Sequence, residues 1–179
     1  MRLFLGFAPE NAERAVYNLC DQLALPDELP LRWVPPENWH ITVVFLGDLP
    51  ERDLGRVVDT VAPIVQGCAP MEVTLEELAW FPSAMKPRLL TLGVETAPAL
   101  MSLQADVAAA LRRAGFHSEQ RAYRPHLTLA RLKGSRKLVT PPALLPITPV
   151  SARLDELVLF ESQVRERRYI PLQRIGLAA

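Results

Sequence analysis

Cysteine is scarce in this chain. Its two copies among 179 residues, Cys20 and Cys68, stand without the spacing of a disulfide framework or of a metal-binding cluster. That scarcity fits a reducing compartment, and a cytoplasmic location is expected. Long hydrophobic runs are also missing. The apolar opening Leu3-Phe4-Leu5-Gly6-Phe7 is broken by Glu10, Asn11 and Glu13, too soon for a signal sequence or a bilayer span. No membrane role is expected. Neither sign of charge is in excess, with 20 Lys+Arg against 20 Asp+Glu, so the chain lacks the overall field of a protein that coats long nucleic acid. A glycine-rich phosphate loop and a nucleophile-elbow serine are absent too, which removes two common routes to phosphoryl and acyl chemistry. What remains is a hydrophobic content of 49%, enough for one globular domain over residues 1–179 to close its own core.

Hydrophobic periodicity divides the chain into two similar halves. Residues 2–8 read as a strand and 10–25 as a helix, with Val16, Leu19, Cys20 and Leu23 at helical spacing. A proline-spaced stretch from Pro26 to Pro36 follows. Residues 39–46 read as a strand, then a helix carries Leu54, Val57, Val58, Val61 and Val65 on one face, and 71–81 is extended. The second half opens with the apolar run 89–94 and continues into a helix over 98–114, whose stripe is Leu100, Leu103, Val107 and Leu111 and whose cap is Gly115. Strands are expected at 126–132, 153–160 and 168–172, the last two after a loop rich in proline. Elements of this kind favour the α+β class.

Two tetrapeptides carry the chemistry, His40-Ile41-Thr42-Val43 and His126-Leu127-Thr128-Leu129. In a strand, residues i and i+2 share a face, so each tetrapeptide buries an apolar pair and presents an imidazole beside a hydroxyl. Polar side chains are placed that way where the face lines a cavity. Threonine occurs eight times in 179 residues, so two of three histidines followed by x-Thr-apolar would arise by chance only about once in several hundred sequences. Both motifs belong to the repeat, because Phe4-Leu5-Gly6-Phe7 echoes Thr91-Leu92-Gly93-Val94 at nearly the same offset. Two imidazoles can act as acid and base near neutral pH, and the hydroxyls can bond the oxygens on which charge builds. A basic stretch surrounds the second motif: Arg112, Arg113, Arg121, Arg124, Arg131, Lys133, Arg136 and Lys137 against the single acid Glu119. It is suited to hold a phosphate.

These blocks resemble the 2H phosphoesterase superfamily, and within it the RNA 2′,3′-cyclic phosphodiesterases, or 2′–5′ RNA ligases. The likeness extends from Arg2-Leu3-Phe4-Leu5-Gly6-Phe7 through the block 38–47, Phe81-Pro82, and the block 124–131 to Phe160-Glu161-Ser162 and Tyr169. It implies a bilobal α+β fold in which two antiparallel sheets flank a central cleft with helices outside. By resemblance, His40 donates and His126 accepts a proton, Thr42 and Thr128 assist, Arg131 and Arg124 bind substrate, and Phe7 stacks on a base. The implied activity opens RNA 2′,3′-cyclic phosphate ends to 2′-phosphomonoesters, with reversible 2′–5′ ligation beside it. No metal or cofactor is implied, the partners are RNA ends or short oligonucleotides, and the chain is expected to be a monomer. The turn Arg165-Glu166-Arg167-Arg168 departs from relatives that carry a glycine there. Alternatives are a 2H enzyme acting on ADP-ribose cyclic phosphate or 2′–5′ oligoadenylate, and a non-catalytic RNA-end binder. A zinc site built from His40, His117 and His126 is disfavoured, since His117 has no carboxylate or cysteine at ligand spacing.

Overall fold

In the computed structural model the described residues are 1–95, 97–117, 119, 121–133 and 141–178, so Arg136 and Lys137 of the basic stretch lie outside them. The strands are β1 (Arg2–Phe7), β2 (Leu31–Trp33), β3 (Ile41–Asp48), β4 (Met71–Phe81), β5 (Leu89–Val94), β6 (His126–Leu132), β7 (Val150–Leu154), β8 (Glu156–Gln163) and β9 (Arg168–Gly176). The helices are α1 (Glu13–Gln22), α2 (Leu54–Gln66) and α3 (Pro98–Arg113). The spans of β4, β5 and β6 coincide with the apolar runs expected from the sequence. Helix α1 starts later, because residues 10–12 form a 3-10 turn, and stops at Gln22.

All pairings are antiparallel, in the order β7-β4-β5-β6-β3-β1-β8-β9, with β2 on β6. The central pairing, β3 with β6, rests on one residue pair, Ile41 with Leu127. A five-stranded leaf, β7-β4-β5-β6 with β2, and a four-stranded leaf, β3-β1-β8-β9, therefore meet at a narrow seam, and the cleft opens above it. Sequence order does not decide which leaf a strand joins. β4 covers the free edge of β5, and β8–β9 returns to cover the free edge of β1, so the outer strands are exchanged between the halves. The run expected as one strand over 153–160 is two, parted at Asp155, where the chain leaves β4 in one leaf for β1 in the other.

One large core packs under the sheet, joining Leu3, Leu5 and Phe7 to Val57, Val61 and Val65 of α2 and to Leu100, Leu103, Val107 and Leu111 of α3. Burying each such side chain contributes roughly 1.5–3 kcal/mol. Alternation along β1 sends Phe4 to the opposite face, where it joins Val158, Phe160 and Tyr169 in a separate cluster. Gly6 faces Thr42 across β1–β3, and a Cβ there would come within 2.9 Å of the Ile41 carbonyl oxygen. The Leu-Gly element of the repeat thus has a local reason at Gly6. Strand β5 repeats it against β6, but the pairing slips by two residues: Gly6 is opposite Thr42, whereas Gly93 is opposite His126.

Candidate active site

Both motif histidines are held in the same way. His40 donates its Nδ1 hydrogen to the Asn38 carbonyl at 2.8 Å, and His126 donates its own to the Arg124 carbonyl at 2.7 Å. An Nδ1–H fixed on the carbonyl two residues back leaves the Nε2 lone pair of each ring free. Since Ile41 pairs with Leu127, the antiparallel register sets His40 beside Thr128 and Thr42 beside His126. Among the described residues neither threonine hydroxyl has a protein partner. The backbone carbonyl of Thr42 accepts from Tyr123 at 2.9 Å, which ties its strand down from beneath.

Burial pulls the His40 pKa down to about 4, and the charges of Arg131 and His126 push the same way against the opposing pull of the Asn38 carbonyl. His126 is also lowered, first by burial and then by Arg124 and Arg131, with the Arg124 carbonyl opposing. Both rings are therefore neutral in the empty cleft at neutral pH. An anion between them reverses part of this shift, because a nearby negative charge favours imidazolium.

The walls differ in what surrounds each ring. Phe4 lies 4.7 Å from His40, and Tyr169 meets it edge-on at 4.8 Å. Across the seam Phe81 packs on His126 at 4.4 Å, and the Arg124 guanidinium lies over Phe81 at 4.7 Å while donating to the Pro82 carbonyl at 3.1 Å. Arg131 donates to the Tyr169 hydroxyl at 3.1 Å, bridging the two leaves. Strict alternation would turn Arg131, five residues on, away from His126. A register shift at Leu129 restores it to the histidine's face.

Of the residues expected at the site, His40, Thr42, His126, Thr128 and Arg131 gather at the cleft. Arg124 stands at its rim, with its side chain engaged on Phe81 and its carbonyl orienting His126. Phe7 does not belong there. It is 1% exposed in the core under the sheet, so it has no face for a base; Phe4, on the opposite face of β1, is the aromatic beside His40. The alternation of Leu3, Leu5 and Phe7 could have shown this. His117 is exposed beyond α3, and among the described residues no group of three or more His, Cys, Asp or Glu could hold a metal.

Asn38 was not anticipated. Buried at 6% exposure, it donates from Nδ2 to the Arg167 carbonyl at 2.8 Å and accepts from the Tyr169 N–H at 3.1 Å. The same residue's carbonyl orients His40, so one asparagine joins the β8–β9 turn to the first histidine.

Paired strands that each present His and Thr to one seam match a known family. The model of the 2′-5′ RNA ligase superfamily covers residues 12–166. The chain belongs to the 2′-5′ RNA ligase superfamily. Within that superfamily, the RNA 2′,3′-cyclic phosphodiesterase of Geobacillus stearothermophilus is 33% identical over 141 residues, covering 77% of this chain and 45% of that protein. The chain spans about half the length of the curated relatives it matches, between 45% and 57% for the first four. A Thermus thermophilus protein superposes with a TM-score of 0.82 at 24% identity, covering 99% of this chain and 98% of that one. Escherichia coli LigT complexed with 3′-AMP does so with a TM-score of 0.76 at 22% identity, again over 99% and 98%. These two likenesses concern the fold, and they agree with the α+β arrangement of curled antiparallel sheet and outer helices.

Proposed function

We propose that this superfamily member hydrolyses 2′,3′-cyclic phosphates at RNA ends to 2′-phosphomonoesters, using two histidines and no metal. The observation that carries the reading is the pair of imidazoles with matched Nδ1 anchors, each leaving Nε2 free beside an unpartnered threonine at one seam. Relatives named RNA 2′,3′-cyclic phosphodiesterase support the substrate class. LigT complexed with 3′-AMP shows that a protein of this fold accommodates a nucleotide.

In this reading water attacks phosphorus and gives a proton to His126 Nε2 while the bond from phosphorus to the 3′-oxygen breaks and His40 Nε2 protonates that oxygen. The threonine hydroxyls bond the non-bridging oxygens, where Arg131 adds positive charge. His40, neutral in the empty cleft, takes up its proton as the anionic substrate binds, and proton exchange with solvent resets both rings. With a 5′-hydroxyl in place of water, the same step would form a 2′–5′ phosphodiester as the 3′-oxygen leaves, and its reverse would return the cyclic phosphate and the free 5′-hydroxyl. The protein acts in this reading as a cytoplasmic monomer, and among the described residues no helix is long and apolar enough to cross a membrane.

Phosphorus NMR of a short RNA bearing a terminal 2′,3′-cyclic phosphate tests the proposal, with a 2′-phosphate as the expected product. A 3′-phosphate product, or inertness toward RNA beside rapid turnover of ADP-ribose cyclic phosphate, would overturn it. Exhaustive chelation should leave the rate unchanged; a loss restored by zinc or manganese would remove the metal-free mechanism.

A further inference from the structure

Beyond the histidine pair, the short strand β2 puts a second arginine beside Arg131. Leu31, Arg32 and Trp33 pair with Leu132, Arg131 and Ala130 without a register shift. Directly opposed residues of an antiparallel pair place their side chains on one face, about 4.5–5.5 Å apart at Cβ. Arg131 faces the cleft, since it reaches the Tyr169 hydroxyl and its charge is felt by both imidazoles. Arg32 therefore faces the cleft as well, and Trp33, although 45% exposed, alternates away from it.

Two like charges opposite one another oppose strand pairing. Among the described residues no carboxylate pairs with either of them. Among the described residues the ion pairs engage Arg56, Arg121, Arg153 and Arg174, Arg131 bonds only a neutral hydroxyl, and Arg32 has no side-chain partner. No Asp or Glu occurs between Glu119 and Asp155, the stretch that contains β6. The position of Arg32 is nevertheless fixed, because backbone bonds pin β2 at both ends: Val34 N–H to the Leu129 carbonyl at 2.8 Å and Lys133 N–H to the Pro30 carbonyl at 2.6 Å.

Strand β2 occupies the edge of β6 beyond the point where β3 begins at Ile41, so the arginine pair continues the line of the seam. Thr128 and Arg131 are three residues apart, but the register shift at Leu129 leaves two ladder steps between them, roughly 7 Å along the strand. Arg131 acts on both imidazoles from β6, and Arg32, opposite it on the edge strand β2, is the outer member.

We propose that Arg32, with Arg131, forms a subsite for a second, non-reacting phosphate, the one on the 5′-carbon of the sugar that carries the cyclic phosphate. The proposal rests on reading the cleft as a cyclic phosphodiesterase. In an RNA end that group is the last phosphodiester, and ADP-ribose cyclic phosphate presents the same chemistry through its diphosphate. A guanidinium pair matches a phosphate by charge-assisted, bidentate hydrogen bonds.

Steady-state kinetics on a nucleoside 2′,3′-cyclic phosphate with and without a 5′-phosphate test it. In the unaltered protein the 5′-phosphate should lower KM by about 10–100-fold, the worth of one or two hydrogen bonds between charged groups. Arg32→Gln should erase most of that gain and leave turnover of the unphosphorylated compound as it was. Arg32→Lys should retain part of it. An equal gain in Arg32→Gln and in the unaltered protein, or an equal loss on both substrates, overturns the subsite. If the unaltered protein turns over neither compound, the phosphodiesterase reading fails separately. Titration with nucleoside 3′,5′-bisphosphate against the 3′-monophosphate then decides: an affinity gain abolished by Arg32→Gln supports the subsite, and one that persists refutes it. A dinucleotide ending in the cyclic phosphate should show the larger Arg32-dependent gain; a larger one for ADP-ribose cyclic phosphate overturns the assignment to RNA.

Discussion

The two walls of the cleft share a backbone plan and differ in what they hang on it. Each histidine is anchored on the carbonyl two residues back. Each motif strand shifts register three residues after its histidine, at Val43 and at Leu129, so the fifth residue returns to the histidine's face. On one wall that fifth residue is Phe45, 50% exposed and 6.0 Å from Phe4; on the other it is Arg131. Three rings, Phe4, Phe160 and Tyr169, crowd His40, whereas His126 has the single ring of Phe81 and the charges of both Arg124 and Arg131. A symmetric frame alone would accept a cyclic phosphate in two orientations. In the proposed reaction the unequal walls would select one of them, and with it a single product.

The largest test of the comparison removes the shared part. His40→Ala and His126→Ala should each lower kcat by about 10²–10⁴, and the double variant should fall far short of the product of the two, because acid and base act in one step. Full activity in either single variant would end the two-histidine mechanism. Thr42→Ala and Thr128→Ala should each cost about 1–3 kcal/mol of transition-state stabilisation with the fold retained, as judged by circular dichroism.

Removing the unequal part comes next. Arg131→Ala deprives the reacting phosphate of a charge and Tyr169 of its donor, so kcat/KM should fall by about 10–100-fold. Phe45→Ala removes an exposed ring that bonds nothing and should cost less than about fivefold, mainly in KM for substrates with a base to stack. Equal effects would mean that the walls are equivalent in binding.

The lowered histidine pKa values make a third test. A cleft that needs one ring protonated and one neutral is populated in the free protein only near those pKa values, so kcat/KM should peak on the acid side of 6.5, the ordinary imidazole value. Bound phosphate raises the acid's pKa, so the kcat optimum should lie at higher pH. A kcat/KM optimum above 7 would show that the rings are not depressed. Stability follows the same shifts. Between about 4 and 6.5 the unfolded chain binds a proton at His40 that the folded one refuses, so stability is complete above 6.5 and is lost as pH falls toward 4. His40→Gln should flatten that part of a stability-versus-pH curve.

The sequence made the chemistry more legible than the layout that delivers it. Alternation sufficed to place His40 with Thr42 and His126 with Thr128, and apolar runs bounded by turns marked β4, β5 and β6. Strand β2 was hidden because it is three residues long and lies among Pro26, Pro30, Pro35 and Pro36, where turn signals dominate. The break at Asp155 is marked by that one residue alone, with no glycine or proline beside it, since the chain changes neighbours there without reversing. The resemblance pointed to Arg131, yet its route to the cleft depends on a register shift that periodicity cannot reveal. Phe7 failed for the opposite reason: resemblance placed it in the site against an alternation that put it in the core.

The smallest expected effect concerns the turn that Asn38 holds. Arg167 sits there at φ 57°, in the left-handed region, where a side chain costs about 1–2 kcal/mol relative to glycine. Glycine at this position would relieve that cost but would lose more chain entropy on folding, about 0.5–1 kcal/mol. The net is a small gain, so Arg167→Gly should raise Tm by roughly 1–3 °C in a chain of this size. Arg167→Ala keeps the strained backbone and drops the charge, so its Tm should stay near that of the unaltered protein. Because Asn38 bonds the backbone carbonyl of residue 167 and not its side chain, neither variant should disturb His40, and kcat should be preserved in both. A glycine variant less stable than the alanine one would mean that the left-handed backbone carries no net strain here, and an alanine variant less stable than the unaltered protein would mean that the guanidinium contributes to the first wall.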